Sequence, residues 1–383
     1  MRSALAVAVL ASLVGLSVGY AAASPPEDQK HSSVTYQINP AHNGAVFFPQ
    51  GFSAPPTQLW SVTLTGGFQA ATTLIAEGKV FVTYQGNGDS RIDALDLQNG
   101  QTRWRQIFGS PTQAAYDGGI LYVMGATGQL QAFKASNGKR IWFQQLPTGS
   151  SAPPTAIDGR LYLDLPGALY ALDGATGALL WTQPVTYGDV SSPTVAGVGV
   201  YAAFPCQVYR FNAETGHPRW HLNEGSPSPG GQTAAYFNQR LYVHDGLCGN
   251  AIVDAAAGTK TGTFDATDTP ALFKDDQGTG YGVSLNYGVV TGFSADTGKT
   301  LWTFSGGDFA GEPVVINGVV VVGSFEGEVI GLDGKTGAQV WSFFAGGDMG
   351  TLTAGEDRLA VTWGDSAFAS VAVYGPQQQK AHP

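Results

Sequence analysis

Short apolar runs, each only a few residues long, alternate along this chain with clusters of Gly, Pro, Asn, Asp and Thr. Leu161-Tyr162-Leu163-Asp164-Leu165 shows the period: side chains alternate between two environments, as on a pleated strand. No stretch beyond the first two dozen residues sustains a helical period. One unit can be parsed into four strands, Pro154 to Ile157, Arg160 to Leu165, Ala168 to Asp173 and Ala178 to Val185. Turn residues separate them, as a β-meander requires.

The unit repeats. Leu169 to Trp181 reads Leu-Tyr-Ala-Leu-Asp-Gly-Ala-Thr-Gly-Ala-Leu-Leu-Trp, and the same plan runs from Ile92 to Trp104, Leu130 to Trp142, Val208 to Trp220, Val290 to Trp302 and Val329 to Trp341. A degenerate copy spans Ala251 to Gly262, where Gly262 stands in the Trp position. The turn glycines Gly100, Gly138, Gly177, Gly216, Gly258, Gly298 and Gly337 recur every 38 to 42 residues. A four-stranded sheet at that period is a propeller blade, and one blade cannot bury both faces alone. The Trp residues, Trp60 included, are expected to dock neighbouring blades. The glycines are expected to supply a positive φ. An aromatic of this set facing a bound ring is the less favoured alternative.

Seven units lie between Thr72 and Phe344. Thr57 to Leu64 looks like a fourth strand without its first three, and Leu352 to Gly375 like three strands without a fourth. Joined, they predict an all-β, eight-bladed propeller of four-stranded antiparallel blades, its eighth blade closed by both chain ends. Such closure removes two sheet edges. The expected organisation is a signal peptide over 1–23, an extension over 24–56 that wraps the outside or stays partly mobile, the propeller over 57–375 and a disordered tail over 376–383.

Composition narrows the setting. The 383 residues are 43% hydrophobic and 13% charged, with 53 glycines, enough apolar matter for a large core of short strands and turns. The net charge of -10 disfavours nucleic acid and points weakly to a basic partner or a cation. Arg2, the apolar run Ala4 to Val18 and Ala21-Ala22-Ala23 predict an export signal, with no Cys at the cleavage site to carry a lipid. No later stretch is long enough to span a membrane as a helix. A soluble, monomeric protein of the periplasm or cell exterior is expected.

The recurrent Ala-Leu-Asp-x-x-Thr-Gly-x-x-x-Trp pattern resembles the repeat of pyrroloquinoline-quinone (PQQ) dehydrogenases and their non-enzymatic relatives, over nearly all of Leu59 to Gly375. In length and blade count the chain is most similar to the BamB family, the propeller subunits of the outer-membrane β-barrel assembly machine. That resemblance implies a binding or scaffold propeller for a protein or polymer partner in the cell envelope rather than an enzyme. The lipid-acceptor Cys of that family is absent. The quinone enzymes carry adjacent cysteines, a calcium site and a catalytic Asp. Here no two cysteines adjoin and no Asp matches a catalytic motif. No cofactor is predicted, and the alternative is a PQQ-dependent oxidoreductase acting on an alcohol or sugar.

Two clusters invite chemistry. Cys206 and Cys248 follow the second strands of adjacent blades, and in an oxidising compartment should form a disulfide that staples the blade lacking its Trp. Two free buried thiols are the alternative. Asp189, Asp268, Asp308 and Asp348 occupy corresponding loops between blades. They could converge at the channel mouth to hold Ca²⁺ or draw in a basic partner segment. The simpler reading is that each bonds its own loop backbone. Second-hairpin turns carry further candidates for partner contact, Asn87, Asp89, Asn286, Tyr287, Phe325, Glu326 and Asp365, of which the aromatics Phe325 and Tyr287 would be anchors; ordinary turn composition is the alternative. The six histidines, His31, His42, His217, His221, His244 and His382, show no zinc spacing and read as surface residues.

Overall fold

A computed structural model describes residues 31–49, 52, 55–110, 112–147, 152–186, 191–225, 233–286, 288–365 and 367–376. The signal segment, Asp189, Tyr287, His382 and the tail beyond Pro376 lie outside the described residues.

The strands form eight sheets, each built on four antiparallel strands, and no helix occurs among the described residues. Blades 1 to 7 span 67–108, 112–145, 155–184, 194–223, 235–262, 271–304 and 309–344. Blade 8 is assembled from Met349–Gly355, Arg358–Gly364 and Ala369–Gly375, with Thr57–Leu64 as its outer strand. Thr57 pairs with Gly375 and Leu64 with Ala369, so the chain's two ends lock the ring. The first strands of successive blades touch around the axis, and those of blades 1 and 8 close the circle. Within every blade the first and third hairpin turns point to one end of the ring, here the turn face. The second hairpin turns and the blade-to-blade connections lie at the other, the loop face.

The repeat motif has a local cause for each residue. The Asp or Asn ending the third strand caps its turn: Asp173 Oδ1 accepts the Thr176 amide at 2.8 Å, and Asn212 Oδ1 that of Thr215 at 2.8 Å. The chain then enters the left-handed region at glycine, φ 75° at Gly177 and 70° at Gly216. The indole of the previous blade lies on that glycine. A Cβ on Gly216 would sit 2.6 Å from the Trp181 ring. The indole N–H of six repeat Trp residues donates to a carbonyl just after the neighbouring third strand, as Trp60 to Leu97 at 2.9 Å and Trp181 to Ala213 at 3.1 Å. Trp104, Trp142, Trp220 and Trp302 make the same bond to Ala135, Gly174, Ala255 and Gly334.

Two junctions differ. Blade 5 lacks the Trp, and the Tyr242 hydroxyl donates to the equivalent carbonyl, Ala295, at 2.5 Å, while Phe264 stacks on Phe293. Blade 8 lacks the third turn. Trp341 donates instead to the Phe52 carbonyl at 3.2 Å, with Phe48 and Phe52 buried between blades 7 and 8.

The described stretch of the extension from residue 31 to 46 does not wrap the outside. Residues 31–46 cross the central channel and bond to every blade. Ser33 exchanges two backbone bonds with Ile75 of blade 1, and Val34 accepts from Tyr116 of blade 2. The Thr35 hydroxyl reaches Pro154 of blade 3 at 2.9 Å. Pro40, Ala41, Asn43 and Gly44 accept the amides of Val195, Tyr236, Leu272 and Val315, in blades 4 to 7, and His31 accepts from Glu356 of blade 8. Ala45–Val46 then runs parallel to the first strand of blade 7. The cause is the inner edge of each first strand, whose N–H groups face the axis and need acceptors.

Candidate functional site: the plugged channel and the loop face

The repeat places one residue in or just before each first strand at the same level of the channel: Thr72, Gln113, Pro153, Ser192, Thr233, Thr269, Glu312 and Thr351. Neighbours in this ring bond one another. Thr72 donates to Gln113, the Ser192 hydroxyl to the Pro153 carbonyl at 2.8 Å, and the Thr269 hydroxyl to the Thr233 carbonyl at 3.0 Å. Part of the ring, with Thr35 to Ile38 as its floor, lines a cavity of about 290 Å³.

Glu312 is the one charged residue of the ring. The Tyr36 hydroxyl donates to it at 2.6 Å. Burial, then the neighbouring Glu312 charge, holds the Tyr36 phenol well above its ordinary pKa. Asp268 lies behind this pair. Burial first, and Glu312 second, push its carboxyl well above the usual carboxylate range. Its Oδ1 accepts the Leu285 amide at 3.0 Å, and its buried Oδ2 has no hydrogen-bond partner among the described residues.

PQQ is a tricarboxylate, so a site for it needs cationic or N–H donor groups. The cavity lining holds no Lys, Arg or His and presents Glu312. Among the described residues, this axial cavity offers such a ligand no cation.

The three acidic loop residues that are described, Asp268, Asp308 and Asp348, form no metal-ligand group. Asp268 is drawn inward, whereas Asp308 and Asp348 are exposed. The backbone carbonyls of Asp308 and Asp348 accept the amides of Phe325 and Gly364, holding each connection against the next hairpin turn. Among the described residues the one group with metal-ligand spacing is Cys206, Asp245 and Cys248, and its sulfurs are joined to each other. That disulfide spans 42 residues with a Cα–Cα distance of 5.3 Å. Asp245 organises it: its carboxylate accepts the Cys206 amide at 2.6 Å and the Leu247 and Cys248 amides at 2.9 and 3.0 Å. The bridge ties blade 5 to blade 4. The junction without a Trp, between blades 5 and 6, is held by Tyr242 and Phe264 instead.

His42 is fully buried rather than on the surface. Nδ1 lies 2.7 Å from the Tyr36 carbonyl and Nε2 3.1 Å from that of Pro193, pinning the plug to blade 4. His42, Tyr36 and Glu312 escape a motif search because they have no fixed spacing. Aligning the repeats on their first hairpin turns would have exposed Glu312 as the charged member of an otherwise neutral ring.

These features define an eight-bladed propeller of the quinoprotein-like type, its axis occupied by its own chain. The chain belongs to the family described as outer membrane protein assembly factor BamB, whose model matches residues 88–165, 148–263 and 286–374. Among solved structures, BamB from Moraxella catarrhalis is 21% identical with a TM-score of 0.67, covering 86% of this chain and 100% of that one. A europium-containing methanol dehydrogenase is 12% identical with a TM-score of 0.72, covering 90% and 98%. The quinohemoprotein alcohol dehydrogenase from Comamonas testosteroni is 12% identical with a TM-score of 0.69, covering 93% and 82%. At these identities the likeness fixes the fold alone. Comparison with curated protein sequences returns no match.

Proposed function

We propose that this protein is an exported, non-catalytic scaffold that binds a protein partner in the cell envelope, in keeping with the assembly-factor description of its family. The observation that carries the reading is the plugged channel. The inner edges of the blades are spent on residues 31–46, and the remaining cavity presents a carboxylate and no cation. A rigid ring with a filled axis offers its loops rather than its centre. Export is supported by the N-terminal leader pattern and by the disulfide, which persists in oxidising compartments.

The test is titration with PQQ and Ca²⁺, followed by absorbance and by dye-linked oxidation of alcohols and sugars. A flat titration and no turnover are expected. Saturable quinone binding with turnover would replace the scaffold with an oxidoreductase.

A further inference from the structure

We infer that the loop face of blades 7 and 8 is a docking surface for a basic polypeptide segment with apolar side chains. This deepens the scaffold reading and rests on it, by naming the partner's chemistry and its seat.

Three phenylalanines stand out on this face. Phe325 is 50% exposed in the second hairpin turn of blade 7, Phe344 is 71% exposed at the end of its fourth strand, and Phe368 is 38% exposed in the second hairpin turn of blade 8. Backbone bonds join the loops that carry them into one surface. Phe325 N donates to Asp308 O at 2.8 Å, Ala345 N to Gly327 O at 2.9 Å, and Gly364 N to Asp348 O at 3.0 Å. Neighbouring exposed aromatics on rigid, bonded loops lose little entropy on binding and serve as anchors.

Within blades 7 and 8 the charge on this face has one sign, and the neighbouring Arg91 of blade 1 is paired with Asp89. Asp308, Glu326, Asp348 and Asp365 are exposed, and none forms an ion pair among the described residues. No Lys, Arg or His occurs between Lys299 and Lys335, and only Arg358 between Lys335 and Pro376. Lys335 and Arg358 both sit at the turn face, at the other end of the ring. Elsewhere some carboxylates are neutralised locally, as Asp89 of the loop face is by Arg91 and Asp93 by Arg105. Exposed phenylalanines interspersed with unpaired carboxylates on bonded loops repel a second copy of the same face and attract a cationic chain whose apolar side chains cover the rings.

The probe is a fluorescein-labelled peptide of alternating Lys and Leu, with a Glu and Leu counterpart, followed by anisotropy on the full chain. The wild type should bind the first and not the second. Combined Asp308→Asn, Glu326→Gln, Asp348→Asn and Asp365→Asn should weaken binding by about tenfold or more and flatten its salt dependence. Phe325→Ser with Phe344→Ser should weaken it by a similar factor at high salt, where burial dominates. Glu214→Gln, Asp158→Asn, Asp276→Asn and Asp296→Asn at the turn face should change nothing. Equal loss from the turn-face set, equal binding of the acidic peptide, or no binding of the basic one overturns the inference. So does sedimentation showing self-association that the two Phe substitutions abolish. None of these results depends on the quinone titration, so the scaffold reading and its docking site fail separately.

Discussion

His42 shows what burial does to one side chain. Its ring is enclosed in the channel, and burial lowers its pKa from 6.5 to about 4. The carbonyls of Tyr36 and Pro193 act the other way, and desolvation outweighs them. Between these two values the unfolded chain binds a proton that the folded chain refuses. The stabilising contribution is therefore complete above pH 6.5 and is lost as pH falls toward 4, on the order of 3 kcal/mol in all. Melting should fall between pH 7 and pH 5, and His42→Asn should remove much of that slope, since Asn tolerates the φ of 51° at this position. An NMR titration placing the His42 pKa above its ordinary value would show that the carbonyls win. Chain order could not flag this residue: a lone His beside Pro and Asn reads as surface, and only the channel wall around it says otherwise.

At the scale of the element, the blade junction is an indole laid on a glycine. Gly159 and Gly216 separate the two demands made of such a glycine. Both have strongly positive φ, 73° and 70°, but a Cβ on Gly159 meets nothing within 4 Å, while one on Gly216 strikes the Trp181 ring. Gly159→Ala should cost about 1 kcal/mol for the backbone alone. Gly216→Ala should cost more, by about 1–3 kcal/mol, for the overpacked junction. Denaturant melts of the two variants check this, and equal losses would mean that the Trp contact adds nothing. The repeat was legible because Asp, Thr, Gly and Trp each answer a local demand that recurs in every copy. The substitute at the degenerate junction was not. Tyr242 lies on the second strand, and its counterpart Tyr162 only supplements an indole, the two donating to the same Ala213 carbonyl at 3.0 and 3.1 Å. Nothing in the sequence marks one tyrosine as a replacement and the other as an addition.

For the whole molecule, closure happens twice: at the rim, where Thr57–Leu64 completes blade 8, and at the axis, where residues 31–46 satisfy the inner edges. A chain beginning after Val46 keeps the first closure and loses the second. Each lost backbone bond is worth about 0.5–1.5 kcal/mol, so the truncated chain should melt well below the full one. In hydrogen exchange, the amides of Ile75, Tyr116, Val195, Tyr236, Leu272 and Val315 should lose protection together. Unchanged melting and unchanged protection would make the segment a passenger.

The sequence by itself determined the blade, the number of blades and their closure by both chain ends. Each depends on short-range patterning repeated in register, and repetition turns a weak local signal into a firm one. It also pointed to the pairing of Cys206 with Cys248, because equivalent turns of adjacent blades must be neighbours. Only the tertiary structure decided where the N-terminal segment goes and which acidic residues are buried. The eight inner edges that capture that segment exist only once the ring is shut, and a carboxylate such as Asp268 or Asp308 is buried or exposed according to what the closed ring brings against it.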